Sequence, residues 1–230
     1  MILAGAFGDA FRFIADNPGF LASKALDQLE LSAAALGIAL AIALPLGIAL
    51  GHLHRGSGLA IGASIVGRAL PILVLIGVFL TVLGIGFVNN MVALAVLGTG
   101  PVLTNSYEAV DGVEPDVVEA ARGMGMTHLQ ILSRVELPLA LPLLFTGVRV
   151  AAVTIVATAP VASVAGGGGL GDIIVNQASY RLAGVLGASF CVMALSVAVF
   201  LGLSGLQIAV TPRGLRRTTV ARTPWRKEQL

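Results

Sequence analysis

Long apolar runs alternate with short polar connections along the chain, and this pattern determines the elements that we predict. Four runs contain no Asp, Glu, Lys or Arg: residues 31–51, 69–107, 150–171 and 182–212. An amphipathic helix of a water-soluble protein would show a polar face at helical spacing, and these runs show none. Because about 20 consecutive apolar residues cross a bilayer as a helix, the pattern predicts an all-α membrane protein.

We predict about five transmembrane helices, with boundaries taken from charges and turn residues. They cover residues 29–51, 59–83, 89–109, 139–163 and 184–210. The apolar run 69–107 is too long for one helix, and we divide it at GIGFVNN, residues 84–90, where Gly and paired Asn favour a turn. The predicted organisation is an interfacial segment 1–28, a transmembrane domain 29–210 and a basic cytoplasmic tail 211–230. Within the first segment, residues 4–28 read as a short amphipathic helix with a break at Pro18-Gly19.

The composition supports a membrane protein and excludes several function classes. Hydrophobic residues make up 57% of the chain, charged residues only 11%, and the mean hydropathy is +0.95, whereas soluble domains contain about 25% charged residues. The net charge of +2 gives no reason to expect a nucleic-acid partner. Six of the 14 basic residues lie in the tail, where contact with membrane lipid is the simpler explanation. With Cys191 as the single cysteine, an intramolecular disulfide is impossible.

Basic residues also predict the orientation, because cytoplasmic connections are enriched in Lys and Arg. With the C-terminus in the cytoplasm, the inner segments hold Arg55, Arg122, Arg134 and the six basic residues of the tail. The outer segments then hold only Arg12, Lys24 and Arg181. We therefore expect a multi-pass protein of the cytoplasmic (inner) membrane with its N-terminus outside. Arg68 and Arg149 fall within spans, where each either snorkels to the inner surface or lines the transport pathway.

One compact polar stretch, about residues 110–138, interrupts the apolar pattern. It reads as two short helices, the first beginning near Glu114-Pro115 and the second at Thr127, whose Thr-x-x-Gln pattern fits a capping box. Gly123 and Gly125 separate the helices, and we expect Pro138 to end the second one at the membrane. On this evidence alone, a solvated hairpin that merely links two spans remains equally acceptable.

Within this stretch, Glu119-Ala120-Ala121 is followed by Gly125 and then by Val135-Glu136-Leu137-Pro138. This spacing resembles the EAA loop of binding-protein-dependent ABC importer permeases, with Val in place of the family's Ile, and the resemblance extends over about residues 28–210. It implies that the helix-turn-helix docks on an ATPase subunit and transmits that subunit's motion to the spans. The implied partners are an ATPase subunit dimer, an extracytoplasmic substrate-binding protein and a second permease copy or a paralogue. The implied coupling residues are Glu119, Ala120, Ala121, Gly125, Val135, Leu137 and Pro138.

The chain itself shows no site for ATP chemistry or for a metal. A P-loop requires Gly-Lys followed by Ser or Thr, and the two lysines follow Ser23 and Arg226. ATP and Mg²⁺ are therefore expected in the partner subunit, with no cofactor in this chain. His52 and His54 lack a third ligand nearby and read as an ordinary interfacial pair rather than as a metal site. No catalytic grouping stands out, so the chain is not expected to be an enzyme.

A glycine-rich segment, GGGGLGD at residues 166–172, contains the spacing G-x-G-x-x-G. A dinucleotide site would require it between a strand and a helix, and here it follows a predicted span. We expect a flexible outer connection. The segment also resembles the outer loop of osmoprotectant permeases, which makes Gly168, Gly169, Gly171 and Asp172 candidates for docking of the binding protein.

The substrate class is suggested by four segments: RALPILVLIG (68–77), GIGF (84–87), EAARGMGMT (119–127) and GGGGLGD (166–172). They resemble the permeases for quaternary amines such as glycine betaine, choline and carnitine. Quaternary ammonium groups are typically held by aromatic cages, and a chain with one Trp and two Tyr has few residues from which to build such a cage within the spans. Recognition is therefore expected in the binding protein. The alternatives are an importer for another small solute, such as an amino acid, and a stand-alone secondary transporter or channel.

Overall fold

The computed structural model describes residues 2–54, 56, 58, 62, 65 and 70–210. Every regular element in these residues is helical. The elements are α1 (Ile2–Asp16), α2 (Pro18–His52), α3 (Ile72–Leu83), α4 (Phe87–Asp111), α5 (Pro115–Gly123), α6 (His128–Ile131), a π-helical turn (Leu132–Glu136), α7 (Leu137–Thr158), a 3₁₀ segment (Ala159–Ala165), α8 (Gly171–Val175) and α9 (Gln177–Val210). The predicted all-α membrane fold is confirmed.

Four helical segments in the described part of the chain are long and apolar enough to cross a membrane: Pro18–His52, Phe87–Asp111, His128–Ala165 and Gln177–Val210. The last of these is kinked near its start, where Arg181 has a φ of +55°. The helix Ile72–Leu83 is shorter. It forms the end of the predicted span 59–83, most of whose first half lies outside the described residues, as does the tail 211–230. The multi-pass architecture is thus present, with span boundaries that differ from the predicted ones.

The first long helix begins earlier than predicted. The chain breaks at Asn17, and α2 then runs from Pro18 to His52 without interruption, so residues 18–28 belong to the first span's helix and not to a separate interfacial one. Proline is well tolerated in the first turn of a helix, where its missing N–H has no intrahelical partner. Pro18 therefore starts α2 instead of ending the helix before it.

Small residues bring α2 close to α4. The buried positions Ala35, Ala39, Ala43, Gly47 and Gly51 follow one another at intervals of four residues along α2, and we call this row the small-residue stripe. A Cβ atom built on Gly47 would lie 2.6 Å from Cβ of Ser106, and one built on Gly51 would lie 2.8 Å from the backbone oxygen of Tyr107. Small residues permit such close helix approach in membranes.

The third member of the core is α7, which packs on α4 in the same manner. A Cβ atom on Gly147 would lie 2.6 Å from Cβ of Asn105. Ile155 of α7 is fully buried with Leu31 and Ala35 of α2 and with Ala93 and Leu94 of α4. The helices α2, α4 and α7 therefore form one tightly packed unit, on which the other elements are placed.

The predicted turn between the second and third spans lies at residues 84–86, between α3 and α4. The expectation that the paired Asn residues belong to this turn is wrong, because Asn89 and Asn90 lie inside α4 and are buried. Asn90 Nδ2 donates hydrogen bonds to the carbonyl oxygens of Gly86 and Ala165, at 2.8 and 3.1 Å. Its side chain thus ties the turn to the end of the 3₁₀ segment instead of forming the turn itself.

Candidate functional site: a polar hairpin and a glycine-rich loop

The polar stretch folds as a helical hairpin, which we define as residues 115–136. Its first limb is α5, preceded by Glu114 as the N-cap. Its second limb begins with the predicted capping box: Gln130 N donates to Thr127 Oγ1 at 3.4 Å, and Thr127 N donates to Gln130 Oε1 at 2.8 Å. These bonds satisfy backbone donors that the start of a helix leaves free, so the second limb has a defined beginning.

Gly125 makes the reversal between the two limbs. Its φ is +80°, in the left-handed region that side chains with a Cβ atom avoid. The Met126 N–H donates to the Ala121 carbonyl at 3.2 Å, which closes the turn at the end of α5. A Cβ atom on Gly125 would meet no heavy atom within 4 Å. Backbone conformation, and not lack of space among the described residues, therefore requires glycine here.

Pro138 does not end the second limb, and that prediction is wrong. The helix continues from His128 to Ala165 through a π-helical turn at Leu132–Glu136, in which the Leu137 N–H donates to the Leu132 carbonyl five residues back. Pro138 then stands directly after the π-helical turn, as the second residue of α7. The hairpin is thus joined to α7 by continuous helical backbone, with Val135, Leu137 and Pro138 at the junction.

The hairpin has a small apolar core of its own. Val113, Val118, Ala121 and Ile131 are buried together, with Met126 and Val135 packed against them. Ala121 is only 2% exposed, so of the two alanines in the motif only Ala120 lies at the surface. Ala121 instead lets the two limbs approach each other, while Glu119, Ala120 and Gly125 remain exposed.

Several apolar side chains on the outside of the hairpin are left uncovered by the part of the chain that the structure describes. Val117, Ala120 and Met124 recur at helical spacing along α5, and all three are exposed. Met124 is 73% exposed, and Leu129, at the start of the second limb, is 78% exposed. An apolar surface on an otherwise polar element is typical of a protein interaction site. We call these four residues the hairpin patch.

Both histidines of the first predicted inner loop pair with carboxylates. His52 Nδ1 donates to Glu136 Oε2 at 2.6 Å, and His54 Nδ1 donates to Asp111 Oδ1 at 2.8 Å. The described residues contain no cluster of three or more His, Cys, Asp or Glu suited to a metal ion. Sequence reasoning missed Glu136, because its position between Val135 and Leu137 carries no signal of burial or of a partner 84 residues away.

The glycine-rich segment is a packed loop, so the expected flexible connection is wrong. Gly166, Gly168 and Gly169 have φ near +70° to +80°, and Gly169 and Gly171 are buried. A Cβ atom on Gly169 would lie 3.0 Å from Cβ of Gln28. Asp172 Oδ2 accepts a hydrogen bond from Lys24 Nζ at 2.6 Å, within an ion pair. Among the docking candidates, Gly168 and Asp172 are partly exposed, whereas Gly169 and Gly171 shape the loop from within.

Arg149 is held between two helices. Its guanidinium donates to Ser204 Oγ and to Gln207 Oε1, both at 3.1 Å, and lies 5.0 Å from the centre of the Phe200 ring. These partners all belong to α9, so Arg149 joins α7 to α9 by hydrogen bonds and a cation–π contact. The second intramembrane candidate, Arg68, lies outside the described residues.

The hairpin and the glycine-rich loop lie at opposite ends of α7. The helix has 22 residues, which corresponds to a length of about 33 Å. Since the hydrocarbon core of a bilayer is about 30 Å thick, a membrane around α7 would separate the two features. The geometry therefore provides one polar surface on each side, joined through the core of α2, α4 and α7.

Comparison with known proteins identifies this arrangement. Residues 34–216 match the family described as binding-protein-dependent transport system inner membrane component. The chain is 34% identical to the glycine betaine/carnitine/choline transport system permease protein OpuCB of Bacillus subtilis over 205 residues, covering 89% of this chain and 94% of that protein. It is 32% identical to the choline transport system permease protein OpuBB of the same organism over 207 residues, covering 90% and 95%.

Among solved structures, the fold is similar to a chain of the MetNI methionine ABC transporter in an inward-facing conformation. The TM-score is 0.71 at 22% sequence identity, and the match covers 84% of this chain and 96% of that chain. The family match includes most of the first long helix, the hairpin, the glycine-rich loop and α9. The chain therefore belongs to the family of binding-protein-dependent transport system inner membrane components, the permease subunits of ABC importers.

Proposed function

We propose that this permease subunit translocates a quaternary-amine osmoprotectant of the glycine betaine, choline and carnitine class. In this proposal, a substrate-binding protein delivers the solute, and a separate ATPase subunit dimer drives transport through the hairpin. The observation that carries the proposal is the hairpin itself, in which Gly125 adopts a positive φ at its motif position and the hairpin patch is exposed for docking. A stand-alone channel or secondary transporter would have no use for such a docking element.

The roles of the individual motif residues follow from their exposure. Glu119, Ala120 and Gly125 are exposed, and we assign them to contact with the ATPase subunit, together with the hairpin patch. Ala121 and Val135 pack within the hairpin, and Leu137 packs at its junction with the spans. We assign these residues, with Pro138, to transmitting the movement of the hairpin to α7.

In this proposal, ATP and Mg²⁺ bind to the partner ATPase subunit and not to this chain. The sequence contains no Gly-Lys-Ser or Gly-Lys-Thr, which a P-loop requires. We therefore propose that this chain has no ATPase activity alone and that it works beside a second permease copy or a paralogue. The hairpin and tail together hold eight basic residues, against three in the N-terminal segment and around the glycine-rich loop. This distribution supports a cytoplasmic hairpin and C-terminus, with the glycine-rich loop and N-terminus outside.

The substrate class rests on the names of the relatives, since the fold does not select a solute. The structurally similar MetNI transporter carries methionine in its name, so an importer for an amino acid or another small solute is the alternative. Competition distinguishes the two. Uptake of labelled choline or glycine betaine should be inhibited by unlabelled quaternary amines and not by amino acids that lack a quaternary nitrogen, and the reverse pattern would favour the alternative.

Replacement of Gly125 tests the hairpin's role. Gly125→Val places a β-branched residue in a left-handed conformation, which costs about 1–2 kcal/mol for a side chain with a Cβ atom, and adds bulk at the docking surface. Because the spans keep their own packing, the variant should insert and accumulate normally but lose ATP-driven uptake. The measurement is solute uptake together with ATPase activity in proteoliposomes that contain the assembled complex.

Gly123→Val provides a matched control. Gly123 is also exposed, a Cβ atom there also meets nothing within 4 Å, and it lies at the end of α5 without a positive φ. This control should retain most uptake. Full, binding-protein-stimulated transport by Gly125→Val would mean that the hairpin is only a linker, and the proposed coupling would have to be abandoned.

A further inference from the structure

His52, the last residue of α2, lies against the second limb of the hairpin at two points. Its Nδ1 atom donates to Glu136 Oε2 at 2.6 Å, at the end of the π-helical turn. Its ring also stands edge-on to the ring of His128, with 5.8 Å between centroids and 83° between planes. One imidazole of the first long helix therefore contacts both the first residue of α6 and the last residue before α7.

The contact with Glu136 is buried. Glu136 is 1% exposed, and the side chain of His52 is 15% exposed. A buried carboxylate requires a hydrogen-bonding partner, because its desolvation is otherwise uncompensated. His52 supplies that partner from a different element. The π-helical turn positions the carboxylate, and single π-turns inside α-helices are frequently found at functional sites.

On the α2 side of the His52–Glu136 contact, the helix packs tightly against α4. His52 follows Gly51, the last member of the small-residue stripe, and a Cβ atom on Gly51 would lie 2.8 Å from the Tyr107 carbonyl of α4 and 2.9 Å from Cβ of Val110. Because close-packed interiors transmit displacement instead of absorbing it, α2 and α4 cannot slide freely past each other here. A movement of Glu136 would therefore reach two spans through one side chain.

We propose that the His52–Glu136 pair is the link through which movement of the hairpin is passed to α2, which makes His52 a positioning residue for energy coupling. This inference rests on the proposed function, and it adds a second route beside the continuous backbone that joins the hairpin to α7. With both routes intact, the hairpin displaces α2 and α7 together. Without the His52 link, α2 is displaced only through its packing against α4 and α7, and less of the hairpin's movement reaches the end of α2 at His52.

A second histidine–carboxylate pair, His54–Asp111, lies close by but involves no residue of the hairpin. His54 donates to Asp111 at the end of α4, so that pair joins the turn after α2 to α4. The His54 side chain is 54% exposed, and its φ is +48°, a conformation that Asn tolerates better than most residues. His54→Asn is therefore a matched control, which changes an imidazole two positions away and leaves the hairpin contact in place.

The first experiment measures the ratio of solute taken up to ATP hydrolysed in proteoliposomes containing the whole complex. His52→Ala should lower this ratio about tenfold or more, in the range of typical coupling free energies. His54→Asn should leave the ratio within about twofold of the wild-type value. A merely structural role for His52 would lower the amount of assembled complex and not the ratio.

A second variant keeps the proposal testable if His52→Ala assembles poorly. His52→Cys/Glu136→Cys in a Cys191→Ala background replaces the pair with two thiols beside a cleft of about 220 Å³ that both residues line. A short, reducible methanethiosulfonate crosslinker, applied in the membrane before purification, should restore the uptake-to-ATP ratio several-fold. Reduction of the crosslink should lower it again.

The outcomes separate the link from the function on which it rests. A normal ratio in His52→Ala, or in the cysteine pair without the crosslinker, overturns the link and leaves the proposed importer standing. Failure of the crosslinker to raise the ratio of the cysteine pair also overturns the link. An absence of ATP-driven uptake by the wild-type complex, in contrast, overturns the proposed function and the link with it.

Discussion

At the scale of single residues, the size of the side chain at each position of the small-residue stripe determines how closely α2 and α4 approach. Gly47 is the tighter of the two glycines in this stripe, because a Cβ atom there would lie 2.6 Å from Cβ of Ser106 and 2.8 Å from the Leu103 carbonyl. Alanine is favoured over glycine in a helix by about 1 kcal/mol. Overpacking of a dense core costs about 1–3 kcal/mol, and here the obstacle includes backbone, so the packing effect should dominate.

We accordingly predict that Gly47→Ala lowers the thermal midpoint of the detergent-solubilised complex by several degrees. Gly37→Ala is the control on the same helix, because a Cβ atom at Gly37 meets nothing within 4 Å. There the helix-propensity gain should act alone and leave the midpoint unchanged or slightly raised. Equal midpoints for the two variants would show that the stripe does not hold α2 against α4.

At the scale of elements, the capping box determines where the second limb of the hairpin begins. Loss of a Thr N-cap costs about 0.5–2 kcal/mol, and α6 has only four residues before the π-helical turn. Thr127→Ala should therefore loosen the start of the limb, with faster amide hydrogen exchange at residues 128–131. Ser133→Ala is the control, because Ser133 Oγ donates only to the Leu129 carbonyl of its own helix. Protection unchanged from wild type in Thr127→Ala would count against the cap.

The parts of the fold that could be predicted are those with a local signal. Charge-free runs identified the membrane fold, the Thr127–Gln130 spacing identified the capping box, and Gly125 identified the reversal. The expectation for Pro138 failed because a π-helical turn at Leu132–Glu136 precedes the proline and the helical backbone continues past it. The pair Lys24–Asp172 joins residues 148 positions apart, and nothing in a single sequence indicates such a contact.

The candidate site was predictable to a similar extent. The motif spacing located the hairpin, but the separation of exposed Ala120 from buried Ala121 depends on the direction in which α5 packs on the second limb. That direction is decided by tertiary contacts with Val113 and Ile131. The glycine-rich loop shows the same limit, because its composition suggests flexibility while its packing against Gln28 and Pro160 makes it a fixed part of the fold.

At the scale of the whole molecule, the separation of the hairpin from the glycine-rich loop allows the proposed orientation to be tested by chemical labelling. The two features lie at opposite ends of α7, about 33 Å apart along a helix of 22 residues. Ser133 in the hairpin and Ser179 near the glycine-rich loop are both exposed. Ser133→Cys and Ser179→Cys, each in a Cys191→Ala background, therefore report on the two sides of the membrane.

We predict that a membrane-impermeant maleimide labels position 179 in intact cells and labels position 133 only after the membrane is permeabilised. The physical reason is the charge distribution: basic residues are retained on the cytoplasmic side, and the hairpin contains Arg122 and Arg134, whereas the segment around the glycine-rich loop contains only Arg181. The Cys191→Ala chain alone should take up no label under either condition. Labelling of position 133 from outside intact cells, with position 179 protected, would invert the molecule and place the hairpin where no cytoplasmic ATPase could reach it.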